Sequence, residues 1–380
     1  MSRKKVVITA FDMATPYGWG TDACWEGLFS KCRALKPVLH FNTSVFQSGE
    51  AGLIEGVSAV NEGSRVMAML RPLIEKGVRN IPQDALCLLA TTLGEVEYLE
   101  RSVLGAGDDA EESCPSRLLS KIEKMLGSVN PGMVVSAACV SSSIAIVEGA
   151  GRIIDGEQDV VLVIACDGVS EFLYAGFSSL LALDPGKASP FDREREGLSI
   201  GEAAGYVLLM SEERALRDGR KILGEVAGWG INNDANHMTG PSRDGAGLAK
   251  AIKHSLVHAK IEKEKVISIS AHGTGTVYND AMEMKAFKKV FGQRPVPVYS
   301  MKGGIGHTMA AAGLIEAVIA LKSLEEQKIP PTVGLNRVDE EAKGWVSGES
   351  RKTSGDYALS TNSGFGGVNA ALLLKRGRPS

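Results

Sequence analysis

The chain has 380 residues, with 42 Lys and Arg against 45 Asp and Glu, so its formal net charge is only −3. This balance lacks the strong positive charge expected of a nucleic-acid-binding protein. No apolar run reaches the length that crosses a bilayer, and the short basic start is typical of a first strand rather than of a signal peptide. We therefore expect a soluble protein that has neither nucleic acid nor a membrane as a partner.

Six cysteines are scattered along the chain without paired spacing. This distribution argues against a disulfide framework and against a zinc site, so we expect reduced thiols, a cytoplasmic location and no bound metal. Phosphate-binding signatures are absent as well, because no G-x-G-x-x-G follows the first strand and residues 184–187 lack the earlier glycine of a phosphate loop.

Strand and helix patterns alternate along the whole chain. Strands are predicted at 5–10, 85–91, the run before Cys139, 159–166, 201–210, 222–230, 266–270, 297–300, 357–360 and 368–375. Helices are predicted at 21–29, 64–76, 116–126, 144–154, 211–218, 245–259, 280–291 and 310–327. The alternation is typical of an α/β protein built in layers. A turn at 218–220 is the predicted boundary between two halves, residues 4–218 and 219–376.

Cys139 is the first candidate for a functional residue. It ends a run predicted to be a buried strand and precedes a helix with apolar residues at every third or fourth position. A helix start offers unpaired N–H groups and the positive end of the helix dipole, which favour the nucleophilic thiolate. The small side chains of Ala137 and Ala138 leave room for a substrate. On position alone, a buried cysteine that packs as a small apolar residue is the more common alternative.

Two of the six histidines, His272 and His307, lie in glycine- and threonine-rich loops directly after predicted strands. Ligands bind at this edge of α/β sheets. A lone histidine among glycines is more often structural, but two such loops and a cysteine at an equivalent strand end favour a site. The cysteine can take an acyl group from a thioester, and two imidazole N–H groups can stabilise an enolate oxygen. Lys302 can orient one ring or supply charge.

Five segments resemble, in the right order, the motifs of the elongating β-ketoacyl-[acyl-carrier-protein] synthases, the Cys-His-His type of the thiolase superfamily. They are the nucleophile segment 136–142, the segment 188–192 with 201–205, the histidine motifs 271–283 and 302–313, and the glycine loop 362–369. The resemblance covers residues 130–375, with a weaker match over 4–30. It implies a thiolase-like fold, with two pseudo-repeated halves in a five-layered αβαβα arrangement.

The resemblance also implies an activity and a role for each matching residue. The activity is the decarboxylative Claisen condensation of an acyl thioester with malonyl-acyl carrier protein, in fatty acid or related lipid or polyketide biosynthesis. Cys139 would carry the acyl chain, while His272 and His307 would act in decarboxylation and stabilise the carbanion equivalent. Lys302 would pair with Glu316 and keep the histidine region in order.

Substrate-binding positions follow from the same resemblance. Thr274 and Thr276 would bind the phosphopantetheine arm of the carrier protein, and Gly366 would also contact the substrate. The backbone N–H groups of Cys139 and Phe365 would form an oxyanion hole, with the Phe365 ring gating access. The implied partners are acyl carrier protein, acyl and malonyl thioesters and a second copy of the chain in a homodimer. No cofactor is implied beyond the phosphopantetheine of the carrier protein.

The sequence departs from the family pattern in the region 31–129, in the terminal loop and at Gly303, where Ser is common. Residues 31–129, which in the family help to form the cap and the acyl tunnel, are shorter than usual and match poorly. In the terminal loop, Asn362 and Ser363 run directly into Gly364, so one aromatic position of the family motif is missing. Acyl chain length and the choice between a primary and a specialised pathway therefore stay open.

Three related proteins are alternatives. A degradative thiolase needs a second catalytic cysteine near the C-terminus, and none follows Cys166. An initiating ketosynthase has an asparagine where His307 stands. A chain-length-factor-like subunit of a ketosynthase heterodimer, with little activity alone, usually lacks the cysteine. The intact set of Cys139, His272 and His307 disfavours this last alternative, although a need for a second subunit is compatible with the unusual loops.

Overall fold

The computed structural model describes residues 4–60, 62–77 and 81–377. Within them the strands are β1 (Val6–Thr15), β2 (Gly18–Trp19), β3 (Leu35–Pro37), β4 (Glu50–Gly52), β5 (Leu86–Ala90), β6 (Met133–Val135), β7 (Val160–Asp167), β8 (Ala203–Ser211), β9 (Gly224–Asn233), β10 (Val266–Ser270), β11 (Val298–Tyr299), β12 (Lys328–Ile329), β13 (Arg351–Lys352), β14 (Tyr357–Ser363) and β15 (Val368–Arg376). The α-helices are α1 (Thr21–Ser30), α2 (Arg65–Gly77), α3 (Glu97–Val103), α4 (Pro115–Leu126), α5 (Ser141–Asp155), α6 (Glu171–Ser179), α7 (Glu212–Arg217), α8 (Ala246–Ala259), α9 (Val277–Phe291), α10 (Lys302–Ile305) and α11 (Ala312–Glu326).

The predicted elements are present, most of them with ends shifted by a few residues. The largest difference is in β1, which continues to Thr15 because it stays paired with β8 as far as Ala14. The run before Cys139 forms only the three-residue strand β6, which is partly exposed and not buried as predicted. Helices α3 and α6 were not predicted from the sequence.

The main sheet runs in the order β11-β10-β14-β15-β9-β1-β8-β7-β5-β6, with β2 attached to β1. Its two halves have the same pattern, since β6, β5 and β7 are parallel to one another, as are β11, β10 and β14. The halves join where Val7 and Ile8 pair with Glu225 and Gly224. Strand β7 lies between β5 and β8. Both edges of this apolar strand are therefore paired, and β6 forms the edge of the sheet beyond β5.

Side chains alternate between the two faces of the sheet and thereby define the layers. In β5, Leu86 and Leu88 face the central core, whereas Cys87 and Leu89 face a second core against α2 and α4. Helices α5 and α11 pack against each other in the central layer and contact strands of both halves. The N-terminal half is therefore a sheet with helices on both faces. Successive side chains of a strand point to opposite faces, and burial of both sets requires a helix layer on each side.

The C-terminal half repeats this arrangement. In β15, Leu372 and Leu374 face the central core, whereas Ala371 and Leu373 face an outer core formed with α8 and α9. The order of layers is α2 with α4, the N-terminal half of the sheet, α5 with α11, the C-terminal half of the sheet, and α8 with α9. This is the predicted five-layered αβαβα arrangement. The boundary between residues 218 and 219 stays a prediction.

Two further features concern the whole chain. All six cysteines lie within the described residues, and none of them forms a disulfide. Among the described helices, none combines the length and the apolar character that a membrane span requires.

Candidate active site

Cys139 lies between β6 and α5, beyond the carboxyl ends of the parallel strands of the N-terminal half. Helix α5 begins two residues later, with Val140 as its N-cap. A tight turn precedes it: Ala138 has a φ of 50°, and the Ser141 hydroxyl accepts from the N–H of Ala137 and donates to the carbonyl of Ala138. The turn fixes the Cys139 side chain against the first turn of the helix.

Cys139 is buried, with only 6% of the residue exposed. Burial raises its pKa to about 12, and the nearby Asp167 adds to this, whereas the Lys302 ammonium and the N–H groups of Cys139 and Phe365 lower it. The resting side chain is therefore a thiol at neutral pH. The N–H groups at the helix start favour the thiolate, as expected, but the loss of hydration on burial has the larger effect on the pKa.

His272 follows β10 in a loop that Glu283 of α9 holds in place. The Glu283 carboxylate accepts the backbone N–H groups of His272 at 2.8 Å and Gly273 at 2.7 Å, and the Asn279 amide at 3.0 Å. Gly273 has a φ of 43°, and a Cβ there would lie 2.6 Å from the Cβ of Ser300. The glycine and the buried carboxylate together fix the backbone of His272.

His307 is fixed by the N-terminal half of the chain. Its N–H donates to the Ser199 carbonyl at 2.7 Å, and its carbonyl accepts from Gly201 at 2.9 Å. The Met309 N–H donates to its Nδ1 at 3.3 Å. Because Nδ1 accepts, the ring proton lies on Nε2. Nε2 is buried and has no partner among the described residues, so it is a donor available to a ligand.

Cys139, His272 and His307 converge on one point. The sulfur of Cys139 and one ring nitrogen of each histidine all lie within 4.8 Å of one another. The two imidazole rings are 5.1 Å apart between centroids and nearly perpendicular. Burial and the Lys302 charge lower the pKa of both histidines well below 6.5. Both rings are therefore neutral at neutral pH.

Lys302 is buried beside these rings. Its ammonium donates to the His272 carbonyl and to Glu316, and it lies 3.4 Å from Nδ1 of His272. Glu316 also accepts the Asn362 amide at 2.6 Å, and the Ser143 hydroxyl donates to Asn362 Oδ1 at 2.6 Å. The pairing of Lys302 with Glu316 is the one that the resemblance implied. The contribution of Asn362 and Ser143 was not predicted, since nothing in the sequence connects residues 219 positions apart.

A pocket of about 410 Å³ leads from the surface to Cys139. Thr274 and Thr276 line it, with their hydroxyl oxygens 2.9 Å apart. The half-buried Phe365 packs against Phe177 at 5.7 Å between ring centroids, and both rings line the same pocket. The pocket is of the size that holds an extended small-molecule arm.

Gly366 lies outside this pocket. It is exposed, its N–H donates to the Met238 carbonyl at 2.6 Å, and its carbonyl accepts the Asn233 amide at 2.9 Å. The structure therefore does not bring Gly366 to the substrate space. Its neighbour Gly364 lines the pocket in its place.

Two residues of the site region were missed by the sequence analysis. Asp167 is buried directly behind the site and accepts the N–H of Ala310. Its position after the apolar strand β7 was a usable signal, since polar residues at strand ends face the ligand edge. His237 lines the pocket mouth, where its Nδ1 accepts from the N–H groups of Thr239 and Gly240. Nothing in the local sequence indicated this loop.

Comparison with known proteins agrees with this geometry. Residues 112–215 match the family model described as the N-terminal domain of β-ketoacyl synthase, and residues 223–336 match the C-terminal domain. A 3-oxoacyl-[acyl-carrier-protein] synthase 2 from Vibrio cholerae is 31% identical over 414 aligned positions, which cover 99% of this chain and all of the relative. The chain belongs to the β-ketoacyl synthase family. It is a condensing enzyme of the acyltransferase class with a thiolase-like fold.

Relatives from specialised pathways are equally similar. The tetracenomycin polyketide synthase ketoacyl synthase alpha subunit from Streptomyces glaucescens is 31% identical, with 99% of this synthase and 98% of the relative covered. The solved structure of the ishigamide ketosynthase/chain length factor has a TM-score of 0.87 and 30% identity, with 99% of this chain and all of that chain covered. The Vibrio alignment has 414 positions and this chain 380 residues, so at least 34 positions lack a counterpart here.

Proposed function

We propose that this synthase joins an acyl group held on Cys139 to malonyl-acyl carrier protein by decarboxylative Claisen condensation, in fatty acid or related lipid or polyketide biosynthesis. The observation that carries the proposal is the convergence of Cys139, His272 and His307 within 4.8 Å at the inner end of the pocket. A thiol nucleophile and two neutral N–H donors are the groups that acyl transfer and enolate formation require.

In the first half-reaction the Cys139 sulfur attacks the carbonyl carbon of the acyl thioester. The N–H groups of Cys139 and Phe365, which lie near the sulfur, stabilise the oxyanion of the tetrahedral intermediate. The carbon–sulfur bond to the carrier arm breaks, and the proton of the Cys139 thiol ends on the departing pantetheine thiol. The acyl group is left as a thioester of Cys139.

In the second half-reaction His272 and His307 donate their Nε2–H groups to the carbonyl oxygen of the malonyl thioester. Both Nδ1 atoms face donors, namely Lys302 and the Met309 N–H, so the rings are set to donate at Nε2. Loss of CO2 leaves an enolate, whose carbon attacks the acyl carbonyl on Cys139. The new carbon–carbon bond forms, the carbon–sulfur bond breaks, and the Cys139 thiolate takes up a proton.

The proposal includes the partners and the setting of the reaction. Acyl carrier protein delivers both thioesters, and its phosphopantetheine arm passes the hydroxyl groups of Thr274 and Thr276 in the pocket. No further cofactor takes part, and the enzyme works in the cytoplasm. The active form is a homodimer. In support, β6 pairs only with β5 among the described residues, and the N–H and C=O groups on the other side of an edge strand are open to a second strand.

An acyl-carrier donor should label Cys139 in preference to the other five cysteines. The donor reaches Cys139 through the pocket, whereas Cys32 and Cys114 are exposed but lie away from it. Peptide mass spectrometry after incubation with the acyl-carrier donor measures the site of labelling. The matched controls are Cys139→Ser, which should lose the label, and Cys114→Ser, which should keep it. A label on Cys87 or Cys166 would contradict the proposed function.

The purified chain should be a dimer with twice the chain mass, and active without another subunit. All three groups of the proposed mechanism lie in one chain, so no second ketosynthase-like subunit is needed to complete them. Light scattering gives the mass, and condensation of a labelled acyl primer with malonyl-acyl carrier protein gives the activity. A chain that condenses nothing alone, yet gains activity when a ketosynthase subunit is added, would instead match the chain-length-factor-like alternative.

A further inference from the structure

Asp167 is a buried acid that the mechanism above does not use. It ends β7 and is 1% exposed. Its carboxylate accepts the hydroxyl groups of Thr91 at 2.8 Å and Thr92 at 2.6 Å, and the N–H groups of Thr92 at 3.1 Å, Leu93 at 3.3 Å and Ala310 at 2.9 Å. No Lys, Arg or His forms an ion pair with it within the described part of the chain. Hydroxyl and amide donors alone hold this charge.

These donors come from the two loops that flank Cys139. One is the turn 91–93 after β5, where Leu93 packs against the apolar cluster that contains Cys139. The other is the turn 307–311, which carries His307. The carboxylate thus bridges two loops that share no strand pairing, at the carboxyl ends of β5 and β7, where ligands of α/β sheets bind.

The bridge extends to the imidazole of His307 through two neighbouring residues. Ala310 donates its N–H to Asp167, and the preceding Met309 donates its N–H to Nδ1 of His307. Met309 has a φ of 48°, a left-handed conformation that a side chain such as Met adopts only where the surroundings hold it. The Asp167 carboxylate anchors this strained turn by accepting the N–H of Ala310.

We propose that Asp167 is a positioning residue for His307: its carboxylate holds the 307–311 turn so that the Met309 N–H stays on Nδ1 and the Nε2–H stays directed at the substrate oxygen. The inference rests on the proposed function, in which that Nε2–H stabilises the enolate. Asp167 itself touches no substrate. Asp167 acts on the orientation and the tautomer of the His307 ring. A small displacement of the Nε2–H donor from the substrate oxygen is expected to lower the rate strongly.

The test is to replace Asp167 by alanine and to measure the two half-reactions separately. Asp167→Ala should lower kcat for malonyl-carrier decarboxylation by about tenfold or more and leave KM within about threefold. Acylation of Cys139 by an acyl-carrier donor should change by less than about threefold, because it does not use His307. Asp167→Asn, which keeps the volume and one acceptor oxygen, should lie between wild type and the alanine variant.

Glu95→Gln is the matched control for a lost buried charge. Glu95 lies in the same loop region, is fully buried and pairs with Ser64 and Lys121 rather than with the His307 turn. Its variant should lose thermal stability but keep the decarboxylation kcat within about threefold of wild type. If Asp167→Ala and Glu95→Gln lose stability alike and decarboxylate alike, Asp167 has only a structural role and the proposal is wrong.

A second readout follows the pH dependence of Cys139 alkylation. The charged and titratable groups that face the thiol are Asp167, Lys302, His272 and His307, and the negative charge of Asp167 raises the pKa of the thiol. The alkylation profile of Asp167→Asn should therefore move to lower pH, which a change of packing alone would not produce. An unmoved profile together with a decarboxylation kcat at the wild-type level would overturn the proposal.

Thr92→Val provides a variant for the case in which neither Asp167 variant folds. The valine removes the hydroxyl that donates to Asp167 at 2.6 Å and leaves the carboxylate in place. Its decarboxylation kcat should fall by about threefold or more, with acylation unchanged. Wild-type decarboxylation in this variant would count against the proposal. If the wild-type enzyme itself is not acylated on Cys139, the proposed function is wrong. That outcome is distinct from the results that would refute the role of Asp167.

Discussion

Alanine in place of His272 or His307 should lower malonyl-carrier decarboxylation by about a hundredfold or more, because each change removes one N–H donor from the developing enolate oxygen. The His307 effect should be at least as large, since its Nε2 is buried and has no other partner among the described residues. CO2 release from malonyl-carrier protein measures this step. Cys139 should still accept an acyl group in both variants, because the N–H groups near its sulfur remain.

Two controls separate loss of the donor from loss of the fold. His254 is exposed on α8, so His254→Ala should decarboxylate at the wild-type rate. His307→Gln retains an N–H donor of similar reach and should keep more activity than His307→Ala. Decarboxylation close to wild type in either His272→Ala or His307→Ala would show that the enolate is stabilised elsewhere.

The same rings determine the pH dependence of this step. Their pKa values are lowered well below 6.5, so both histidines stay neutral as the pH falls through 6.5. The decarboxylation rate should therefore show no inflection near that value. An inflection near pH 6.5 that disappears in His307→Gln would mean that the ring titrates normally and is hydrated in the working enzyme.

Much of the fold follows from local pattern. All eight residues of β7 are buried, as its continuous apolar run predicted. Helix α11 is mostly apolar or small and is buried over most of its length, and the central layer between the two halves of the sheet is where such a helix is stable. The joining of both halves into one sheet could not be predicted, because it depends on pairing Val7 with Glu225, more than 200 residues away.

The sequence identified candidate site residues that directly follow strands. It did not predict properties of the site that depend on burial or on contacts with distant residues. His272 and His307 stand after strands in glycine-rich loops, and this was enough to select them. The pKa of Cys139 could not be predicted, because it depends on desolvation by residues distant in the sequence. Gly366 was assigned to the substrate because its loop carries the motif. The backbone of Gly366, however, is held by hydrogen bonds with Met238 and Asn233, and no local sequence pattern reveals these contacts.

Lys302→Met should reduce the free energy of unfolding by about 3–5 kcal/mol, because it leaves the Glu316 carboxylate buried without its cation. Both side chains are at most 3% exposed, so water cannot replace the ammonium. The remaining donor to Glu316 is the amide of Asn362. Urea unfolding measures the change, at a fixed protein concentration because the stability of the proposed dimer would depend on concentration.

The double variant Lys302→Met/Glu316→Gln distinguishes an unpaired charge from a lost packing contact. It removes both charges and keeps both volumes close to the originals, so it should recover at least about 2 kcal/mol relative to Lys302→Met. Activity should stay low in the double variant, because Nδ1 of His272 has lost the ammonium that faces it at 3.4 Å. Without that donor the ring proton is free to move to Nδ1, and the Nε2–H needed by the enolate is no longer ensured. A double variant as unstable as the sum of both single variants, or one that decarboxylates normally, would show that Lys302 neither neutralises Glu316 nor orients His272.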